Sequence, residues 1–122
     1  MNNKPQYSIF KNAFYALDGL GHAIKTETSF KLELFFAVPI MIAIYLFPFS
    51  LVYKLVLIVT FVLIMIVELL NSAVENVVDL VTQDIHPLAK SAKDIGATAV
   101  LFCVLLHLAC WVIILLDNYS LV

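Results

Sequence analysis

The chain has 122 residues, of which 63% are hydrophobic and 13% charged, and its net charge is −2. Soluble domains run nearer about 45–50% apolar and about 25% charged. A water-soluble globule could not hide this much apolar surface, so an integral membrane protein of one domain, residues 1–122, is expected. Every cationic residue is a lysine and no basic tract occurs, so no nucleic-acid partner is expected.

In chain order, Met1 to Gln6 reads as a polar lead-in and not as a cleavable signal peptide. Over residues 7–30, Phe10, Phe14, Leu17, Leu20 and Ile24 recur at steps of four and three, with Lys11, Asp18, His22 and Lys25 between them. That pattern predicts an amphipathic helix lying at the membrane surface. Gly19 and Gly21 are expected to weaken or bend it, and Thr26 to Ser29 is expected to turn into the next helix. A first span is predicted over 32–49, kinked at Pro39 and ended by Pro48. A second span is predicted over 51–70, with Tyr53 and Lys54 as interface anchors. Its helix should continue past the membrane to Asp79 or Val81. The polar stretch Thr82 to Ala92 contains His86-Pro87 and is predicted to be a loop. A third span is predicted over 95–116, with Trp111 near an interface and Gly96, Ala97 and Ala99 as small residues that allow close helix approach. Three spans of about 18–22 residues match a hydrocarbon core of about 30 Å. The expected fold class is an all-α membrane protein, a surface helix plus three transmembrane helices.

Lysine placement sets the expected orientation. Lys4, Lys11, Lys25 and Lys31 precede the first span, and Lys90 and Lys93 lie between spans two and three. Only Lys54 lies on the other side. The positive-inside rule puts the N-terminus and the 82–93 loop in the cytoplasm.

The chemistry concentrates where span two ends. With Glu68 as zero and about 100° per residue, Asn71 falls near −60°, Glu75 near −20° and Asp79 near +20°, all on one helix face. A charged side chain costs about 2.5–3.5 kcal/mol at the bilayer centre and less near its edge. Repeated acids on one stripe therefore predict a site. Glu68 and Glu75 are separated by about 10 Å along the axis, so they cannot both grip one ion directly. Glu68, at the lipid–water boundary, suits a proton acceptor. Glu75, nearer water, suits Mg²⁺, which needs about six oxygens, some from phosphate and water. Glu27 is the expected second carboxylate, and Asn71 is expected to orient a neighbour by hydrogen bonds. Lys93 suits a phosphate charge, with Asp94 to orient Lys93 or a ribose. Together these suit phosphoryl transfer to a lipid alcohol. No GxxxxGK[ST] or GxGxxG motif occurs, so a P-loop or protein-kinase lobe is excluded.

Glu68-Leu-Leu-Asn71-Ser-Ala-Val-Glu75-Asn-Val-Val-Asp79, followed by Ala92-Lys93-Asp94-Ile-Gly96, resembles the signature of the small bacterial integral-membrane diacylglycerol kinases. The resemblance implies a homotrimeric helical bundle in the bacterial inner membrane, with active sites shared between subunits. It implies MgATP as phosphoryl donor and diacylglycerol as acceptor. It further implies Glu68 as catalytic base, and Glu27 and Glu75 as ligands of the metal and the nucleotide phosphates. Tyr15, Lys93, Asp94 and the run Asp84-Ile85-His86 fall at nucleotide contacts. Ser29, Phe30, Lys31, Leu32, Glu33, Leu46, Phe47, Pro48, Phe49 and Lys54 fall where members touch lipid. Two positions depart. Ser8 stands where well-known members have an Arg that meets ATP, and Lys11 is expected to take over part of that role. Ala97 stands where they have a Ser, which leaves the lipid-hydroxyl contact there without its hydroxyl.

A related branch phosphorylates undecaprenol. Val78-Asp79-Leu80, His86-Pro87-Leu88-Ala89-Lys90 and Lys25-Thr26-Glu27 resemble that branch. Phe30-Lys31-Leu32-Glu33 and Asp94-Ile95-Gly96-Ala97-Thr98-Ala99-Val100 resemble the diacylglycerol branch, which is the expected one.

Several residues carry plainer readings. Asp79 also reads as a solvated helix end, and Lys31 and Glu33 as ordinary boundary charges. His107 reads as a hydrogen-bonded or interface histidine, His22 as solvated, and Trp111, Tyr119 and Tyr7 as interfacial anchors. Cys103 and Cys110 read as two small hydrophobes, with no spacing for a structural zinc. An ion-conducting oligomer or a non-catalytic assembly subunit are the alternatives from other classes. A conductor needs a polar path across the whole bilayer, and residues 55–63 offer only Thr60. An assembly subunit has no need of Glu27, Glu68, Glu75, Lys93 and Asp94 together.

Overall fold

The computed structural model describes residues 8–120, which form four helices and, among the described residues, no strand. The helices are α1 (Ile9–Thr26), α2 (Thr28–Leu46), α3 (Leu51–Val81) and α4 (Pro87–Asn118). Lys4 and Tyr7, the latter the expected first residue of the surface helix, lie outside the described residues.

Helix α1 starts where Ser8 accepts the Lys11 amide, satisfying one of the free N–H groups that every helix start exposes. It ends at Glu27, whose φ of −94° and ψ of 105° are extended. The expected turn over Thr26 to Ser29 is therefore narrower: Glu27 is its only non-helical residue, and Thr28 and Ser29 already belong to α2. Gly19 and Gly21 do not interrupt α1. Helix α2 passes through Pro39 and stops at Leu46, three residues short of the predicted end at Phe49. The Pro48 ring drives Phe47 out of the helical region, to φ −65° and ψ 141°.

Ser50 caps α3, accepting the Tyr53 amide at 3.3 Å. At 31 residues and about 1.5 Å per residue, α3 is about 46 Å long, well beyond a hydrocarbon core of about 30 Å. It runs to Val81, as its unbroken sequence predicts. The predicted loop over residues 82–92 is corrected to Thr82–His86, because α4 already begins at Pro87. Proline is well tolerated at a helix start, where its missing N–H costs nothing. The preceding His86 acts as cap, its Nδ1 accepting the Leu88 amide at 3.1 Å. Lys90, Lys93 and Asp94 consequently stand on a rigid helical turn.

The short Thr82–His86 connection makes α3 and α4 an antiparallel pair, the main packing unit, and α2 lies against α3. At the end far from that connection, Ile44, Phe49, Leu57 and Ile114 form a buried apolar cluster. Phe47 and Phe49 stack there with ring centres 5.1 Å apart, and Trp111 meets Phe49 edge-on at 6.0 Å. Helices α2, α3 and α4 are each long and apolar enough to cross a membrane. Their outer faces stay apolar, with Phe35, Val59 and Phe102 all well exposed.

Candidate active site

The half of α3 near the Thr82–His86 connection carries the polar stripe. Its first three polar side chains, Glu68, Asn71 and Ser72, are buried, Glu75 is half-buried and Asp79 is exposed. Burial thus falls along the stripe, as a helix leaving the apolar layer should show. Asn71 Nδ2 donates to Glu75 Oε1 at 3.2 Å.

The break between α1 and α2 faces this stripe. A mostly polar cleft of about 490 Å³ is lined by Glu27 and Ser29 from the break, by Glu68, Asn71 and Glu75 from α3, and by Ala97 from α4. Three carboxylates therefore share one cleft, and among the described residues no basic side chain lines it. Thr26 donates to Glu27 Oε1 at 3.3 Å. Ser29 lies beside the Glu68 carboxylate. Glu33, one helical turn further along α2, is close enough to Glu68 for their charges to interact, and its Oε2 is buried without a partner.

The donor set fits a divalent cation. Glu27 and Glu75 offer carboxylate oxygens to a cleft that, among the described residues, has no basic side chain in its lining. Among the described residues no three acidic, histidine or cysteine side chains form a complete cage, so a cation held by Glu27 and Glu75 would need further oxygens from water or a ligand.

A second cleft of about 320 Å³ lies at the helix connection, lined by Asp79, Asp84, Ile85, His86, Lys90 and Lys93 among others. Lys93 donates to Asp79 Oδ1 at 2.6 Å, and Lys90 pairs with Asp94 one turn on. A third cavity, of about 330 Å³, separates α1 from α3 and is bordered by His22, Glu27, Ser72 and Asn76.

Several residues singled out from sequence are not brought to these clefts. Lys11 and Tyr15 are exposed on α1 and line none of them. Lys54 is 14 residues before Glu68 on α3, about 21 Å along the helix. It donates to the Tyr45 carbonyl at 2.9 Å and lies over the Tyr45 ring. Phe47 and Phe49 belong to the aromatic cluster at that same far end. Phe30 is buried, whereas Lys31 and Leu32 are exposed.

Sequence reading missed three features. Ser72 and Asn76 border the α1–α3 cavity, but their side of α3 is visible only once α1 is folded back. The Asp79–Lys93 pair needed the correct start of α4. Gly96, expected as a small residue that allows close helix approach, sits directly against the Asn71 carboxamide, and that partner is the feature missed.

The comparisons with known proteins can be set beside this geometry. Residues 14–115 match the family model described as prokaryotic diacylglycerol kinase. The chain is 36% identical over 115 residues to the diacylglycerol kinase of Escherichia coli strain K12, covering 92% of each chain. It is 34% identical over 102 residues to the undecaprenol kinase of Bacillus subtilis strain 168, covering 84% of this chain and 81% of the relative. It is 44% identical over 88 residues to the diacylglycerol kinase of a Synechocystis strain, covering 71% of this chain and 50% of that longer protein.

Proposed function

The chain belongs to the prokaryotic diacylglycerol kinase family, and from that premise we propose that it phosphorylates diacylglycerol to phosphatidic acid, using MgATP at the cytoplasmic face of the inner membrane. It is a membrane-embedded lipid kinase, whose substrates are a lipid and ATP and whose metal is a divalent cation. The observation that carries the finer reading is the convergence of Glu27, Glu68 and Glu75 on one polar cleft at the end of an apolar helix.

Each side chain then has a task set by its depth. Glu68, the deepest, accepts the proton of the lipid hydroxyl as that oxygen bonds to the γ-phosphorus and the bond from that phosphorus to the departing ADP breaks. Ser29 and Glu33 border the lipid side of Glu68 and place the headgroup, while exposed Lys31 and Leu32 meet the surrounding lipid. Glu75 and Glu27 hold the metal–nucleotide complex, about two turns nearer water. When bound, the divalent cation neutralises charge on the phosphate oxygens. Lys93 exchanges Asp79 for a phosphate oxygen, and Asp84, Ile85, His86 and Asp94 border the nucleotide.

Tyr15 and Lys11 are exposed and lie outside the three-carboxylate cleft, which is itself open. Both features support completion of the site by a neighbouring copy in a homotrimer. Leu46 to Phe49 and Lys54, at the far end of the bundle, contact the acyl region or a neighbour, not the reacting hydroxyl. Ala97 borders the cleft without a hydroxyl to offer.

Undecaprenol is the second reading, favoured by the relative from Bacillus subtilis. Purified protein given ATP with diacylglycerol or with undecaprenol in matched bilayers separates the two. Diacylglycerol is expected to turn over faster. Faster turnover of undecaprenol transfers the assignment to that branch, and turnover of neither removes the kinase reading.

A further inference from the structure

Asn71 carries a contradiction that points beyond its own side chain. It is buried, 8% exposed, and its Oδ1 has no hydrogen-bond partner. Buried amide oxygens nearly always find one. Turning the carboxamide over would not help, because the oxygen would then face Glu75 Oε1, which now accepts the Nδ2 hydrogen at 3.2 Å. The oxygen is instead pressed against α4 at Gly96. A Cβ placed on Gly96 would overlap Asn71 Oδ1 and lie 3.1 Å from its Cγ and 3.9 Å from its Cβ. The three nearest atoms all belong to the Asn71 side chain. The same construction at Gly19 and Gly21 meets nothing within 4 Å, so close approach is a property of Gly96 alone among the three glycines.

We infer that Gly96 is a positioning residue for the cation site: its missing side chain seats the Asn71 carboxamide, and the seated carboxamide aims the Glu75 carboxylate into the cleft. The inference rests on the reading of Glu75 as a metal–nucleotide ligand. Its logic is mechanical. The Asn71 amide has one orientation in which its nitrogen faces Glu75. That orientation needs room on the opposite side for the oxygen, and α4 provides the room only where it has no Cβ. An alanine at position 96 leaves the helices free to pack, since the clashing group is the end of a side chain. It forces the carboxamide to rotate, breaks its bond to Glu75, and lets the carboxylate swing. Groups that orient a metal ligand through a hydrogen bond typically change metal affinity by about 10–100-fold when removed.

The test is a double-mutant cycle on purified, bilayer-reconstituted protein, with Gly96→Ala, Asn71→Ala and the pair, and Gly21→Ala as control. Mn²⁺ binding in the presence of a non-hydrolysable ATP analogue is followed by electron paramagnetic resonance, which needs no turnover. Each single variant is expected to weaken Mn²⁺ binding about tenfold, the low end of that range. The double variant should be no weaker than either alone, because both act through one contact. Gly21→Ala should bind like the parent. In lipid kinase assays, KM for the metal–nucleotide complex should rise more than kcat falls. If Gly96→Ala alone fails to fold, the double variant still decides the matter, since removing the Asn71 carboxamide vacates the space the new Cβ needs. Parent-like Mn²⁺ binding by Gly96→Ala overturns the inference. So do single effects that multiply in the double variant, or a double variant that cannot fold. Loss of turnover on every lipid with the Mn²⁺ pattern intact would sink the proposed reaction and leave the positioning role standing.

Discussion

Glu68 is a carboxylate buried on a helix whose preceding residues, from Leu55 to Val67, contain only Thr60 as a polar side chain. Such an acid is worth its desolvation only if a reaction or a partner uses it. Its neighbours include Ser29, an uncharged hydroxyl, and Glu33, a like charge, and among the described residues no lysine lines its cleft. A purely structural acid would be expected to face a cation. Glu68→Gln keeps the shape and the burial and removes the basic oxygen, so the helices should remain while turnover falls by at least about 100-fold, the lower bound for losing a general base. Near-normal turnover with unchanged circular dichroism would show that another group takes the proton.

At the scale of elements, α3 and α4 are joined by a polar bolt in their apolar middle. Trp111 Nε1–H donates to His107 Nε2 at 3.0 Å, and an indole nitrogen can only donate. The Nε2 atom is therefore the unprotonated one, and Nδ1–H donates to Thr60 Oγ1 at 2.8 Å. The Thr60 hydroxyl passes its own hydrogen to the Val56 carbonyl at 2.9 Å. Every donor in the chain is used. Thr60→Val keeps the shape and strands the imidazole N–H. Inter-helix hydrogen bonds in membranes average about 0.6 kcal/mol and reach about 1.7, so a loss of about 1 kcal/mol is expected. Unfolding in mixed micelles should register it as a lower midpoint, with KM for ATP unchanged. A shift in KM without a change in midpoint would mean that the bolt serves the site and not the pairing of the helices.

For the whole molecule, the single chain leaves its site half-walled. Glu27 reaches the α3 stripe at the one extended residue between α1 and α2, yet Tyr15 and Lys11 on α1 are exposed and do not line the cleft. The outer faces of α2, α3 and α4 expose Phe35, Val59 and Phe102, surface that lipid or other copies of the chain must cover. A site shared between subunits predicts complementation. In the proposed homotrimer, mixing Glu68→Gln with Glu75→Gln chains should restore a substantial fraction of activity, with each variant alone expected to be inactive. Activity that stays at the level of the separate variants would place the whole site within one chain.

Much of this architecture was written in the residue order. The three apolar stretches dictated three helices able to span, because unpaired backbone has no place in hydrocarbon. Prolines and caps set most ends: Pro48 released Phe47, and Ser50 started α3. Pro87 was read as a loop marker, when a proline after a capping residue opens a helix just as well. The spacing of Glu68, Asn71, Glu75 and Asp79 placed them on one face through helical periodicity alone. What the order could not supply was which other element meets that face. Bringing Glu27 and Ser29 to Glu68 required the single-residue break between α1 and α2, and pairing Asp79 with Lys93 required the register of α3 against α4. The seating of Asn71 on Gly96 is of the same kind. It depends on the distance between two helix axes, a quantity that side-chain packing along their whole length determines and that no local pattern encodes.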